Sequence, residues 1–185
     1  MNSLTIKKLT VPLSQYATVS DSATLYDAIL ALEKAQANND QSHYPHRAIL
    51  VFDDRNRVIG KLGQFDILMA LESKYSEIPD FERLTGMGLS AKFAKDLFKQ
   101  YSVWNEPLEK ICQEAADLNV RDVMYNLTED EYIEESASMD EAIHQLIMGR
   151  HQSLLVTRDE EIVGILKLTD VFHWISQLIK SHEMP

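Results

Sequence analysis

The chain has 185 residues, with 18 Lys and Arg against 29 Asp and Glu, and a formal charge of −11. A surface this acidic repels nucleic acid and anionic membranes, which bind chiefly through basic patches, so neither is expected as a partner. The length allows one or two small domains, no apolar run is long enough to cross a bilayer, and the single cysteine, Cys112, excludes an intramolecular disulfide and a cysteine-based metal cluster. The opening MNSLTIKKLTVPL lacks the apolar core of a signal peptide, so a cytoplasmic location is expected.

In chain order, TVSDSATLYDAILALEKA reads as a short strand, a polar Ser-rich step and an amphipathic helix. Leu25, Ile29 and Leu32 form its apolar stripe. QANNDQSHY is polar and Asn-rich and reads as a surface loop. AILVFDDRNRVIG is strand, polar turn, strand, which is a hairpin. GKLGQFDIL then places Asp66 six residues after Gly60, at the head of a further apolar segment.

Between about Glu72 and Asn119 the pattern is helical. Leu89, Phe93, Leu97 and Tyr101 recur at helical spacing, with Ser90 as a candidate cap. Pro107 marks a second helix, with Leu108, Ile111, Ala115 and Leu118 on one face and Cys112 read as a packing residue. This stretch is expected to bridge and cover the core; a dimerisation or docking surface is the alternative.

The remainder repeats the beginning. YIEESASMDEAIHQLIMG answers the first strand and helix, with Met139, Ile143 and Leu146 as its stripe. Val19 to Ala28 spans nine residues, and so does Ile133 to Ala142. SLLVTRDEEIVG answers the hairpin, one residue shorter in the turn. GILKLTDVF answers GKLGQFDIL, with Asp170 again six residues after Gly164. Thr169 or Asp170 is the expected N-cap of the closing helix, whose apolar residues include Val171, Trp174, Ile175, Leu178 and Ile179. The chain is therefore an internal duplication of a β-α-β-β-α unit about 55 to 65 residues long. Units this small bury little alone, so the two are expected to share a core. The organisation expected is repeat 1 over 1–71, a helical segment over 72–117 and repeat 2 over 118–185.

Catalysis finds little support. The chain has no P-loop, no dinucleotide fingerprint and no nucleophile elbow. Its six histidines show no ligand spacing, so no metal site is expected. The acidic pairs Asp53-Asp54 and Glu160-Glu161 fall in hairpin turns, where solvation accounts for them.

Two β-α-β-β-α copies, each with an apolar strand, a glycine and an Asp six residues on, resemble a tandem pair of CBS domains (a Bateman module). The resemblance covers about residues 9–71 and 118–181, and VRDVMYN looks like the family's lead-in to a repeat. It implies a mixed α+β fold in which two repeats pack about a pseudo-two-fold axis, with the helical segment between them. It also implies two clefts of a kind that often binds AMP, ADP, ATP or S-adenosylmethionine.

In that family the Asp accepts hydrogen bonds from ribose hydroxyls, which suits a carboxylate facing a vicinal diol. Asp66 and Asp170 match this position. Phe65 and Thr169 precede them, and Thr169 adds a hydroxyl. The family's Ser or Thr, three residues before the Asp, is kept in neither copy: Gly63 and Lys167 stand there. Gly63 permits close backbone approach, and Lys167 either reaches a phosphate or fills the cleft. Basic residues before the hairpin are His46 and Arg47 in the first copy, and His151 with Arg150 beside it in the second. Pro12 and Ala17 match positions on the adenine side of the cleft that uses Asp170.

The resemblance thus implies a regulatory, non-catalytic module that needs no cofactor and senses an adenine nucleotide. Ribose is expected on Asp170, phosphates on Lys167 and His151, with His46 or Arg47 beside them. A homodimer and an unidentified regulated protein are expected as partners, the surplus apolar surface of Val171, Phe172, Trp174 and Ile175 suiting a subunit interface. The alternative is an interaction protein whose clefts have degenerated, supported by the missing Ser/Thr in both copies.

Overall fold

The structure is a computed structural model that describes residues 5–37, 46–71, 96 and 107–181. The middle helix around Leu89 to Tyr101 and the body of the QANNDQSHY loop lie outside the described residues. In chain order the elements are β1 (Val11–Pro12), β2 (Thr18–Ser20), α1 (Leu25–Ala37), β3 (Ala48–Phe52), β4 (Val58–Gly63), α2 (Gln64–Ala70), α3 (Leu108–Ala116), β5 (Tyr125–Asn126), β6 (Tyr132–Glu134), α4 (Met139–Gly149), β7 (Ser153–Arg158), β8 (Glu161–Lys167) and α5 (Leu168–Ser181). Short helical turns cover Leu13–Gln15, Val120–Val123 and Glu129–Glu131.

Each copy starts with a strand that a polar cap converts into a helix. Thr24 and Asp27 cap α1 reciprocally: the Asp27 N–H donates to Thr24 Oγ1 at 3.2 Å, and the Thr24 N–H to Asp27 Oδ2 at 3.0 Å. Ser138 does half of this for α4, accepting from the Glu141 N–H at 3.2 Å. The helix then crosses back, so that β2 pairs parallel with β3 and β6 with β7. The hairpins β3–β4 and β7–β8 are antiparallel. Their turns use left-handed residues, Asn56 in one and Asp159 with Glu160 in the other. Asp53 braces the first turn by accepting the Arg55 and Arg57 N–H groups at 3.0 and 2.8 Å. That acidic residue therefore shapes its turn rather than merely facing water.

The two sheets exchange their first strands. The orders are β2-β3-β4-β5 and β1-β8-β7-β6. β5, from the second copy's lead-in, closes the first sheet, and β1, from the first copy's lead-in, closes the second. The repeated glycine marks these crossings. Gly164 pairs with Pro12, and a Cβ there would lie 2.5 Å from the Val11 carbonyl oxygen. Gly60 pairs with Asn126, and its Cβ would lie 2.6 Å from Met124 Sδ.

Strand alternation builds three cores. Ile49, Val51 and Leu62 pack under α1 with Leu25, Ala28 and Leu32. Leu154, Val156 and Leu166 pack under α4 and α5 with Met139, Ala142 and Leu146. The intervening residues Leu50, Leu155 and Ile165 point the other way and meet Val11 and Tyr16 between the sheets. The repeats thus share a core through faces that neither could leave in water.

Several expectations change in the fold. Ile29 is exposed, because the buried face of α1 runs through Ala28, whose small side chain lets the helix lie close on the sheet. Leu108 and Cys112 are exposed on α3; of the expected face, Ala115 is buried and Ile111 and Leu118 are partly buried. α5 begins at Leu168, so Thr169 and Asp170 sit in its first turn and not at its cap. Of the apolar surplus on α5, Val171 is buried and Trp174 and Ile175 pack on the second core; Phe172 remains exposed.

Candidate functional site

The strand pairings align the copies residue by residue. Gly63 pairs with Ala48 as Lys167 pairs with Ser153. Gly63 is thus equivalent to Lys167, Asp66 to Asp170, and His46-Arg47 to His151-Gln152. The exchanged segments align too. Pro12 faces Gly164 as Asn126 faces Gly60, and Thr18 faces Leu50 as Tyr132 faces Leu155. Tyr16 is therefore equivalent to Asp130, and Ala17 to Glu131.

A cleft of about 690 Å³ opens between the repeats. The first repeat contributes Arg47, Lys61, Gly63, Phe65 and Asp66; the second contributes Tyr125, Glu131, Arg150, His151, Lys167 and Thr169. Asp66 is the third residue of α2, and its Oδ2 accepts the Gly63 N–H at 2.7 Å. That bond uses one of the donors left over at a helix start and leaves the carboxylate facing the cleft. Partial burial pushes the Asp66 carboxyl above its ordinary value, with Glu131 acting in the same direction and the Gly63 N–H and Lys61 against it.

Facing Asp66 is a buried polar group that sequence reasoning missed. Glu131 accepts the Thr128 N–H and hydroxyl at 3.1 and 3.2 Å, and its Oε1 meets Lys61 Nζ across the repeats. Lys61 Nζ also lies 5.3 Å from the centre of the Tyr125 ring. His151 Nε2 is 2.9 Å from Asp130 Oδ2 and its Nδ1 is 4.0 Å from Glu131 Oε1. A signal for these residues was present in the copies. Lys61 interrupts an apolar strand where the second copy has Ile165, and its partner Glu131 stands where the first copy has Ala17.

The other aspartate has different surroundings. Asp170 and Lys167 are 6% and 4% exposed, and Lys167 Nζ lies 3.2 Å from Asp170 Oδ2. Tyr16 is close by: burial, and then the Asp170 charge, push its hydroxyl well above the ordinary tyrosine value. The Tyr16 ring meets the His46 ring edge-on at 4.4 Å between centroids. His46 and Ala17 are buried in the protein, and neither they nor Asp170 line the cleft. The expected set thus divides. Asp66, Arg47, His151, Lys167 and Thr169 meet at one cleft, while Asp170, His46 and Ala17 lie in the packing behind it. Pro12 is exposed, on β1.

A model of the CBS domain matches residues 7–73 and 120–177, more than half of the chain. The chain belongs to the CBS-domain family. Solved structures agree on the fold. The crystal structure of CBSX2 in complex with AMP is 16% identical with a TM-score of 0.57, covering 95% of this chain and 98% of that one. A CBS domain-containing protein of unknown function from Bacillus anthracis is 17% identical with a TM-score of 0.60, covering 94% of each. The CBS domain of a CBS domain-containing membrane protein from Sphaerobacter thermophilus is 18% identical with a TM-score of 0.57, covering 92% of this chain and 87% of that one. A search of curated proteins finds no match. Among the described residues of this CBS pair, no helix is long and apolar enough to cross a membrane, and no cluster of three or more His, Cys, Asp or Glu could hold a metal.

Proposed function

We propose that this CBS pair is a regulatory, non-catalytic module that binds an adenine nucleotide on Asp66. One observation carries the reading: Arg47, Lys61 and Arg150 gather around a single cleft in a chain of formal charge −11. Asp66 offers a carboxylate to the ribose diol, and Thr169 a hydroxyl beside it. Arg47 and Arg150, both exposed at the cleft, offer forked donors to a phosphate. Phe65 and Tyr125 offer faces for the base. The AMP held by a protein of similar fold makes AMP the first ligand to try. The ribose moves from Asp170, where the family resemblance put it, to Asp66, because Asp170 is already buried against a cation.

The second reading is an interaction protein without a nucleotide. It is favoured by the internal pairing of Lys61 with Glu131 and of His151 with Asp130, which engages side chains that a phosphate would use. Thermal denaturation and calorimetry with AMP, ADP, ATP, S-adenosylmethionine and GTP separate the two. A saturable rise in midpoint with an adenosine ligand, weakened roughly tenfold or more by Asp66→Asn, is the expected outcome. No stabilisation by any of them at millimolar concentration favours the second reading.

A homodimer is part of the proposal. Phe65 and Leu68 on α2 and Phe172 on α5 are exposed, and Leu68 and Phe172 are equivalent positions two residues beyond each Asp. Light scattering at micromolar concentration is expected to give twice the 21.2 kDa chain mass, and Phe172→Asp to shift it toward monomer. A wild-type monomer removes this part.

A further inference from the structure

The two clefts are related by the internal repeat, yet among the described residues only the one at Asp66 is open and Asp170 is buried, and the residues at one equivalent pair of positions account for the difference. At the open cleft that position is Gly63, where even a Cβ would come within 3.2 Å of Asp66 Oδ2. At the closed one it is Lys167, whose ammonium lies 3.2 Å from Asp170 Oδ2. The other exchanges follow the same division. Lys61 and Glu131 line the open cleft, while their counterparts Ile165 and Ala17 are buried. Asp170 nevertheless keeps the character of its twin. It is the third residue of its helix, as Asp66 is, and no aligned hydrogen-bond donor reaches its Oδ2 among the described residues. The ion pair holds the charge without supplying the directed donors that a carboxylate otherwise accepts.

We infer that Lys167 is an internal plug: its ammonium takes the place that a ligand's diol would take on Asp170, so each chain accepts one nucleotide, on Asp66. The inference rests on the nucleotide reading of the Asp66 cleft. It makes the pair of repeats a single-site receptor, and it makes residues 63 and 167 the determinants of which cleft is open. Moving the lysine from one position to the other should move the site.

The test is calorimetry with AMP on wild type, Lys167→Gly and Gly63→Lys, each first checked for a cooperative thermal transition. Gly63 has ordinary backbone angles, φ −91° and ψ 170°, so a lysine there is free of backbone strain. Wild type is expected to bind one AMP per chain, Lys167→Gly two, and Gly63→Lys none. Adding Asp66→Asn to Lys167→Gly should return the count to one. Should Lys167→Gly fail to fold, Lys167→Thr, which suits the strand end, takes its place. Two AMP per chain in wild type, or one in both wild type and a folded Lys167→Gly protein, overturns the plug. Failure of wild type to bind while Lys167→Gly binds one AMP sinks the Asp66 reading and supports the plug. Failure of both proteins to bind sinks both.

Discussion

Lys61→Met is expected to destabilise the protein by about 3–5 kcal/mol, the range for breaking a buried ion pair from one side. Removing Lys61 leaves the Glu131 carboxylate, 1% exposed, with the two Thr128 donors and His151 Nδ1 at 4.0 Å. Removing Glu131 is the milder change, since the Lys61 side chain is 18% exposed and can turn its ammonium into the cleft. Thermal denaturation should therefore order the variants as Lys61→Met below Glu131→Met, with the Lys61→Met midpoint lowered on the order of 10 °C. The double variant Lys61→Met/Glu131→Met should recover much of the loss, because no charge is left buried. Additive losses in this cycle would mean that the pair is not coupled. The pair joins β4 of one repeat to the lead-in of the other, so the loss should appear in the docking of the repeats as well as in either core.

Gly164→Ala is expected to cost about 1–3 kcal/mol, through overpacking rather than strand propensity. The added methyl meets the Val11 carbonyl oxygen at 2.5 Å and Thr10 Cγ2 at 2.6 Å, and a backbone atom cannot swing aside. β1 must lift from β8, taking Val11 out of the core between the sheets. At Gly60 the nearest atom is the Met124 sulfur, the end of a flexible side chain, with the Tyr125 carbonyl next at 2.9 Å. Gly60→Ala should thus cost less, and chemical denaturation of the two variants compares them directly. Hydrogen exchange should show lost protection in β1 for Gly164→Ala. Equal losses, or unchanged exchange in β1, would show that the crossing is not what requires the glycine.

How legible the molecule was in its sequence can be judged from these residues. The duplication was readable because the same six-residue step separates glycine from aspartate in both copies, and alternation and helical spacing recur around it. The hairpins, the capped helices and the two-repeat fold follow from such local patterns, since backbone hydrogen bonding and burial of one face act over a few residues. The glycine's reason was not readable. Its neighbours, Val11 and Met124, come from the opposite repeat's lead-in and meet it only when the sheets exchange strands. Ile29, Leu108 and Cys112 illustrate the same limit, because helical spacing defines several possible faces and packing selects one.

The candidate site divides along the same line. The sequence by itself determined the fold, the two equivalent aspartates and the lysine-for-glycine difference three residues before them, for these are matters of order along the chain. Only the tertiary structure decided what those aspartates face. Asp66 looks into a cleft lined by both repeats, and Asp170 is closed against Lys167 with Tyr16 and His46 packed nearby. Whether a lysine reaches outward to a ligand or inward to a carboxylate depends on the space left by residues more than a hundred positions away. An ammonium beside a buried carboxylate is held there by charge neutralisation, which no spacing in the sequence encodes.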